Sequence, residues 1–148
     1  MYRETVVHIG RSRRGLLAVI EYELSKGGFR EPTPIQAMLL FGLRNGPLCA
    51  ADLYAFGVYT GTNVNHNIKV LEQAGYLERT GRGSGKKRVP IALTARGRAA
   101  AEWLQQAFVK HAATISATAA ISEAELAGVV STLTKLENFW RHQVQFKL

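Results

Sequence analysis

The sequence predicts a mainly α-helical fold that carries one small β-hairpin. Apolar residues recur at helical spacing along most of the chain, and the pattern becomes extended only after Gly75. Glycine, proline or a capping residue lies at most of the boundaries between segments. The 148 residues are 47% hydrophobic and 20% charged, which is the composition of a globular domain. We therefore expect residues 1–148 to form a single domain.

Four helices are predicted in the first half of the chain, over residues 16–24, 35–44, 48–55 and 62–75. The second helix begins after Thr33, a preferred N-cap residue, with Pro34 in its first position. Thr62 caps the fourth helix, and Gly75 ends it. The third and fourth helices are short and only a few residues apart, which indicates a helix-turn-helix.

The extended pattern after Gly75 predicts a β-hairpin, or wing, with strands at residues 76–80 and 88–93. Pro90 has no N–H to donate, and we expect it to be tolerated because both strands of a two-stranded wing are edge strands. Thr94 then caps a helix of about twenty residues, which is rich in alanine. A capping box opens the last helix at Ser122 and Glu125.

Five apolar residues of the last helix recur at alternating spacings of three and four positions. They are Leu126, Val129, Leu133, Leu136 and Trp140. This spacing is typical of helices that pair, although a helix packed on its own domain also shows it. A winged helix-turn-helix core over residues 33–98 needs no further long helix to close itself. We therefore expect residues 1–30 and 99–148 to be dimerisation helices.

The charge of the chain favours a polyanionic partner. Its 19 lysines and arginines exceed its 11 acidic residues, which gives a formal net charge of +8. Double-stranded DNA is the leading partner, because excess charge for solubility alone does not explain where the charges lie. The single Cys49 excludes a disulfide scaffold and a cysteine-based zinc site. We find no membrane span and no apolar N-terminal signal, so we expect a cytoplasmic protein.

The fourth helix has one apolar and one polar side. Val64, Ile68 and Leu71 recur at positions i, i+4 and i+7 and define the buried side. The N-terminal end of the other side offers hydrogen-bonding groups and no carboxylate, as a recognition helix does in the major groove. The residues that we assign to DNA recognition are Thr62, Asn63, Asn65, His66 and Lys69. A merely solvated polar face is the alternative, which the adjacent basic wing disfavours.

The wing concentrates basic residues within ten positions, with no acid between them. They are Arg79, Arg82, Lys86, Lys87 and Arg88. Glycines at positions 81, 83 and 85 let the tip approach a phosphate backbone or enter a minor groove. A Walker-type phosphate loop is excluded, because the glycine spacing is wrong and a strand rather than a helix follows.

Three runs carry a family resemblance: TPIQAMLLFGLRNGPLCAADL, NVNHNIKVLEQAGYLERT and IALTARG. Residues 33–98 resemble the MarR family of winged-helix regulators. The family pattern at the recognition-helix exit and at the end of the wing is matched by Leu71, Glu72, Gly75, Arg79, Leu93, Thr94 and Gly97. The resemblance implies a triangular homodimer with intertwined terminal helices and two winged lobes on one face of DNA. The chain departs from the pattern where Gly85 replaces a wing aspartate and Lys87 an arginine, although Arg88 is adjacent and could substitute.

Other residues are weaker candidates for a chemical role. Cys49 could sense oxidants at a helix N-terminus, but a small buried hydrophobe is its commoner role. The histidines are too widely spaced for a metal site: His8, His66, His111 and His142. The aromatic residues that could line an effector cavity, or simply pack in the core, are Tyr54, Phe56, Tyr59 and Trp103.

We therefore expect a homodimeric, sequence-specific regulator of transcription that binds a pseudo-palindromic DNA site and represses, or occasionally activates, nearby promoters. We do not expect the protein to be an enzyme or to need a cofactor. We expect it to be associated with the nucleoid in the cytoplasm. The sequence does not identify a small-molecule effector. A sequence-tolerant nucleoid-type protein is the alternative that the strong charge supports. A winged helix used as a protein-interaction module is a weaker one, because the recognition face is positive. The salt dependence of DNA binding and the ratio of specific to non-specific affinity separate these three hypotheses.

Overall fold

The computed structural model describes residues 1–55, 63–81 and 88–146. The helices are α1 (Tyr2–Lys26), α2 (Pro34–Gly42), α3 (Ala50–Ala55), α4 (Asn63–Gln73), α5 (Ala95–Ala119) and α6 (Glu123–Phe146), and the strands are β1 (Leu77–Arg79) and β2 (Ile91–Leu93). A short 3-10 turn at Leu43–Asn45 follows α2. These elements confirm the predicted mainly α-helical fold with a two-stranded wing.

The first helix is longer than predicted. It begins at Tyr2 rather than near residue 16. Arginines at positions 3, 11, 13 and 14 favour a helix without forming an apolar stripe, so hydrophobic periodicity did not reveal this part. The buried residues of α1 are Ile20, Glu23 and Leu24, all close to its C-terminal end.

The predicted N-cap at Thr33 and the predicted capping box at Ser122 are confirmed, and Thr33 also forms a capping box, with Gln36. Thr33 Oγ1 accepts a hydrogen bond from the Gln36 N–H at 3.2 Å, and Gln36 Oε1 accepts one from the Thr33 N–H at 3.0 Å. Ser122 Oγ accepts from the Glu125 N–H at 3.2 Å, and Glu125 Oε2 accepts from the Ser122 N–H at 2.8 Å. The hydrogen bonds from Ser122 lower the pKa of the Glu125 carboxyl.

The wing is anchored on both sides of its second strand. β1 and β2 are antiparallel, with Arg79 opposite Ile91. Leu48, before α3, also exchanges two backbone hydrogen bonds with Ile91, at 3.1 and 2.9 Å. The expectation that both strands are edges is therefore wrong for β2. Pro90 is still accommodated, because its carbonyl oxygen accepts from the Thr80 N–H at 2.8 Å and it is not required to donate.

The start of α5 packs closely against the wing. Thr94 Oγ1 accepts from the Gly97 N–H at 3.1 Å, which confirms the predicted cap, and donates to the Gly75 carbonyl oxygen at 2.6 Å. A Cβ atom on Gly97 would lie 2.0 Å from the carbonyl oxygen of Tyr76. Position 97 therefore requires glycine for packing.

The chain divides into two compact units, Met1–Ala107 and Phe108–Leu148. The first contains the main apolar core, whose buried residues are Leu39, Leu40, Leu43, Leu53, Val64, Ile68, Leu71, Tyr76, Leu77, Ile91, Leu93, Ala100 and Ala101. In the second, the described side chains of α6 include none that is buried. The assignment of residues 1–148 to a single domain stays a prediction.

No single helix in the described ranges is long and apolar enough to cross a membrane. Only α5 and α6 taken together, across the bend between them, meet that condition.

Candidate nucleic-acid interface

The polar side of α4 is exposed, as predicted. Val64, Ile68 and Leu71 are buried, which fixes the orientation of the helix. The exposed residues are Asn63, Asn65, His66 and Lys69. The first turn of α4 carries no acidic residue. This end of the helix therefore offers hydrogen-bond donors and acceptors together with the positive end of the helix dipole, a combination that suits a phosphate backbone. Thr62, the remaining predicted contact of this helix, lies outside the described residues.

Asn67 belongs to a different environment from its neighbours on α4. It is partly buried, and its Oδ1 accepts a hydrogen bond from Gln36 Nε2 at 3.1 Å. The Gln36 side chain is itself buried and caps α2 through Thr33. Asn67 is therefore used inside the protein, whereas Asn65 is free to face solvent.

Arg79, one of the five predicted wing contacts, forms an ion pair at the C-terminal end of α4. Its Nε lies 2.8 Å from Glu72 Oε1, and its Nη2 donates to Glu72 Oε2 at 3.3 Å. Such a two-pronged pair fixes the guanidinium. The family pattern contains both residues, but the sequence alone did not show that they bind each other.

The remaining wing residues are described only in part. Arg88 is exposed, and its carbonyl oxygen accepts a hydrogen bond from the thiol of Cys49 at 3.5 Å. Cys49 is half-buried, and its N–H donates to Asp52 Oδ2 at 3.1 Å at the start of α3. Arg82, Lys86 and Lys87 lie outside the described residues.

A groove of about 710 Å³ lies between α3, α4 and the wing. Its lining includes Tyr54, Asn65, Lys69, Val89 and Ile91. Of the four aromatic residues considered for an effector cavity, Tyr54 lines this groove. Trp103 instead packs at the end of α1 and donates to the Glu23 carbonyl oxygen. Phe56 and Tyr59 are outside the described ranges.

A cluster of polar side chains lies at the C-terminal end of α4. Tyr76, which is fully buried, donates its hydroxyl to Glu31 Oε2 at 2.8 Å. Arg96 pairs with Glu31, lies 4.5 Å from the Tyr76 ring centroid and donates to the Ala74 carbonyl oxygen at 3.1 Å. Burial, together with the hydrogen bond to Glu31, raises the pKa of Tyr76 to about 12, and the Tyr76 hydroxyl lowers the pKa of Glu31. Sequence reasoning missed this cluster, because no short motif joins residues 65 positions apart.

The predicted dimer seam is accessible on α6. Leu126 and Val129 are 39% and 53% exposed, and the other three members are only partly buried. Those three are Leu133, Leu136 and Trp140. The seam is therefore available to another apolar surface, and its place in a dimer stays a prediction.

Comparison with known proteins agrees with this fold. Residues 33–97 match the family described as winged helix DNA-binding domain. The exopolysaccharide II synthesis transcriptional activator ExpG of Rhizobium meliloti (strain 1021) is 26% identical over 145 residues, which cover 98% of this chain and 74% of that protein. A crystal structure of a MarR family transcription regulator has a TM-score of 0.74 at 20% identity and covers 97% of this chain and 93% of its own. FabT of Streptococcus pneumoniae, in complex with DNA, has a TM-score of 0.70 at 22% identity and covers 95% of this chain and 98% of its own.

The two solved structures establish the fold, and the family match identifies residues 33–97 as a winged helix DNA-binding domain.

Proposed function

We propose that the chain is a winged helix DNA-binding protein that regulates transcription as a homodimer on a pseudo-palindromic DNA site. Residues 33–97 match the winged helix DNA-binding domain, and the fold is that of a solved MarR family transcription regulator. The two-fold symmetry of a dimer would be matched by the symmetry of its two half-sites. The protein acts in the cytoplasm, on the nucleoid. The single observation that carries the proposal is the exposed, carboxylate-free N-terminal face of α4.

In this proposal the residues of α4 have two roles. Asn63, Asn65 and His66 reach base edges, since amide and imidazole groups can both donate and accept hydrogen bonds there. Lys69 contacts a phosphate or a guanine, and Thr62 contributes at the start of the helix.

The wing supplies affinity that depends little on sequence. Arg82, Lys86, Lys87 and Arg88 would contact phosphates or enter a minor groove. Arg79 contributes less charge to DNA than the others, because Glu72 already binds its guanidinium. The tip of the wing has no aspartate at position 85, so its basic residues lack that positioning partner.

The dimer is supported by apolar residues that the single chain leaves accessible. On α6 the seam from Leu126 to Trp140 is open, and on α1 the exposed side chains include Val6, Leu16 and Val19. Association would remove this apolar surface from water. We expect the homodimer to bury both helices.

The first experiment selects DNA. Purified protein is incubated with fragmented genomic DNA, the bound fragments are sequenced, and a shared pseudo-palindrome is expected. A transcription assay on the selected promoter then gives the sign of regulation. We expect repression, whereas the relative ExpG is described as an activator.

The second candidate is a sequence-tolerant nucleoid-type protein, which the net charge of +8 favours. Such a protein would bind the selected and random duplexes with similar affinity and with the same steep salt dependence. A specific regulator should prefer its site by about a thousandfold or more. Equal affinities for the two duplexes would overturn the regulator in favour of this candidate.

A further inference from the structure

We propose that the segment Glu31–Gln36 is a positioning element for the recognition helix α4, and that Arg96 is the residue through which it fixes the exit of that helix. The inference rests on the proposed function and adds residues that do not themselves touch DNA. Their effect on binding is exerted through the placement of Asn65 and its neighbours.

The first contact lies at the exit of α4. Arg96 donates to the carbonyl oxygen of Ala74, stacks on the Tyr76 ring and pairs with Glu31. Glu31 in turn accepts the Tyr76 hydroxyl. One guanidinium therefore connects the chain just beyond α4 to the segment that precedes α2.

The second contact lies in the middle of α4. Gln36 Nε2 donates to Asn67 Oδ1 at 3.1 Å, while Gln36 Oε1 accepts from the Thr33 N–H at 3.0 Å. The Gln36 side chain is buried, so it has few alternative conformations. Between the two contacts the segment contains Pro32 and Pro34, whose rings fix φ and stiffen the backbone.

Two contacts at separate levels of a helix restrict its tilt as well as its position. Hydrogen bonds to base edges tolerate distance errors of only a few tenths of an ångström, so a small tilt of α4 would misplace its N-terminal side chains. Glu31 and Arg96 are each about half exposed, at 48% and 49%. An exposed pair of this kind adds little to stability, so its main effect is expected on the geometry of α4.

The test compares two arginines of the same helix. Arg96→Gln and Arg98→Gln each remove one positive charge from the first turn and a half of α5, but only Arg96 contacts the exit of α4. Full-length proteins are titrated with a duplex of the selected site and with a random duplex. We expect Arg96→Gln to lower affinity for the selected site about tenfold more than Arg98→Gln, with equal losses on the random duplex.

A double-mutant cycle provides the second measurement. Glu31→Gln keeps an oxygen acceptor for the Tyr76 hydroxyl but removes the charge that pairs with Arg96. If the two residues act together, Glu31→Gln combined with Arg96→Gln should lose no more specificity than either change alone. If Arg96→Gln fails to fold, Arg96→Lys replaces it, because lysine keeps the charge but cannot make the same forked contacts.

The possible results separate the inference from the function on which it rests. Equal specificity ratios for the Arg96 and Arg98 variants, or fully additive losses in the cycle, would overturn the positioning role while the wild-type protein still prefers its site. A wild-type protein with no preference would overturn the proposed function and the inference with it. Faster amide hydrogen exchange in residues 70–75 of the Arg96 variant, but not of the Arg98 variant, would support the positioning role.

Discussion

The indole ring of Trp103 lies directly over Gly27, so that a Cβ atom at position 27 would be 2.8 Å from the ring. The same indole N–H donates to the carbonyl oxygen of Glu23 at 2.8 Å. Trp103 therefore joins α5 to the C-terminal end of α1 and leaves no room for a side chain between them.

Gly27→Ala should destabilise the protein by about 1–3 kcal/mol, because a ring held by a hydrogen bond has to shift to admit the new methyl group. Its backbone φ of −78° is ordinary, so strain in φ makes no contribution. Urea denaturation measures the change. Gly10→Ala is the matched control: nothing lies within 4 Å of a Cβ there, and alanine in that helical position should stabilise by about 0.5–1 kcal/mol. Equal effects of the two substitutions would contradict the packing argument.

The features that sequence predicted correctly are local. The N-cap at Thr33, the capping box at Ser122 and the buried side of α4 all depend on residues within one or two helical turns of one another. Spacing and residue type determine such features. The same reasoning predicted the exposed polar side of α4.

The features that sequence did not predict depend on distant contacts. The hydrogen bond of Asn67 to Gln36, which lies 31 residues before it, gave no signal within the helix. The cluster of Glu31 and Arg96 spans 65 positions, and the pairing of Leu48 with Ile91 gave no signal in either segment alone. The early start of α1 was missed for a different reason, since its arginine-rich half lacks apolar periodicity.

The two asparagines of α4 should respond differently to substitution. Asn65→Ala should leave the free energy of unfolding unchanged and weaken binding to the selected site by about 1–3 kcal/mol, since its side chain is exposed. Asn67→Ala should cost about 1–2 kcal/mol of stability, because it leaves the buried Gln36 amide without its acceptor. Thermal melts and DNA titrations measure the two effects. A stability loss for Asn65→Ala that equals the loss for Asn67→Ala would show that the two residues do not have separate roles.

The dimer prediction is tested at the centre of the α6 seam. Leu133→Asp places a charge where the seam would be desolvated, so the protein should become monomeric at micromolar concentration. Analytical ultracentrifugation gives the mass directly. The control is Thr134→Asp, which adds the same charge at the next, exposed position and should leave the assembly intact. A wild-type monomer, or a Leu133→Asp dimer, would remove the seam from the interface.

The stability of the protein should fall in strong alkali because of one buried phenol. Burial and the hydrogen bond to Glu31 raise the pKa of Tyr76 from 10.0 to about 12. Because folding raises this pKa, the folded state keeps the hydroxyl proton up to a higher pH than the unfolded state does. The corresponding stability is therefore fully present below about pH 10 and is lost as the pH rises from about 10 to about 12.

Tyr76→Phe isolates this effect from the other groups that titrate in the same range. The phenylalanine variant keeps the ring under Arg96 but has no proton to lose and no hydroxyl to give to Glu31. Below pH 9 it should be less stable than the wild type by about 1 kcal/mol, the net contribution of one hydrogen bond. Between about pH 10 and 12 the wild-type free energy of unfolding should fall by about 2–3 kcal/mol more than that of the variant, since a two-unit pKa shift is converted at about 1.4 kcal/mol per unit. Denaturant titrations at a series of pH values give both curves, and parallel curves across that window would mean that the Tyr76 hydroxyl is not held in the folded protein as the structure describes.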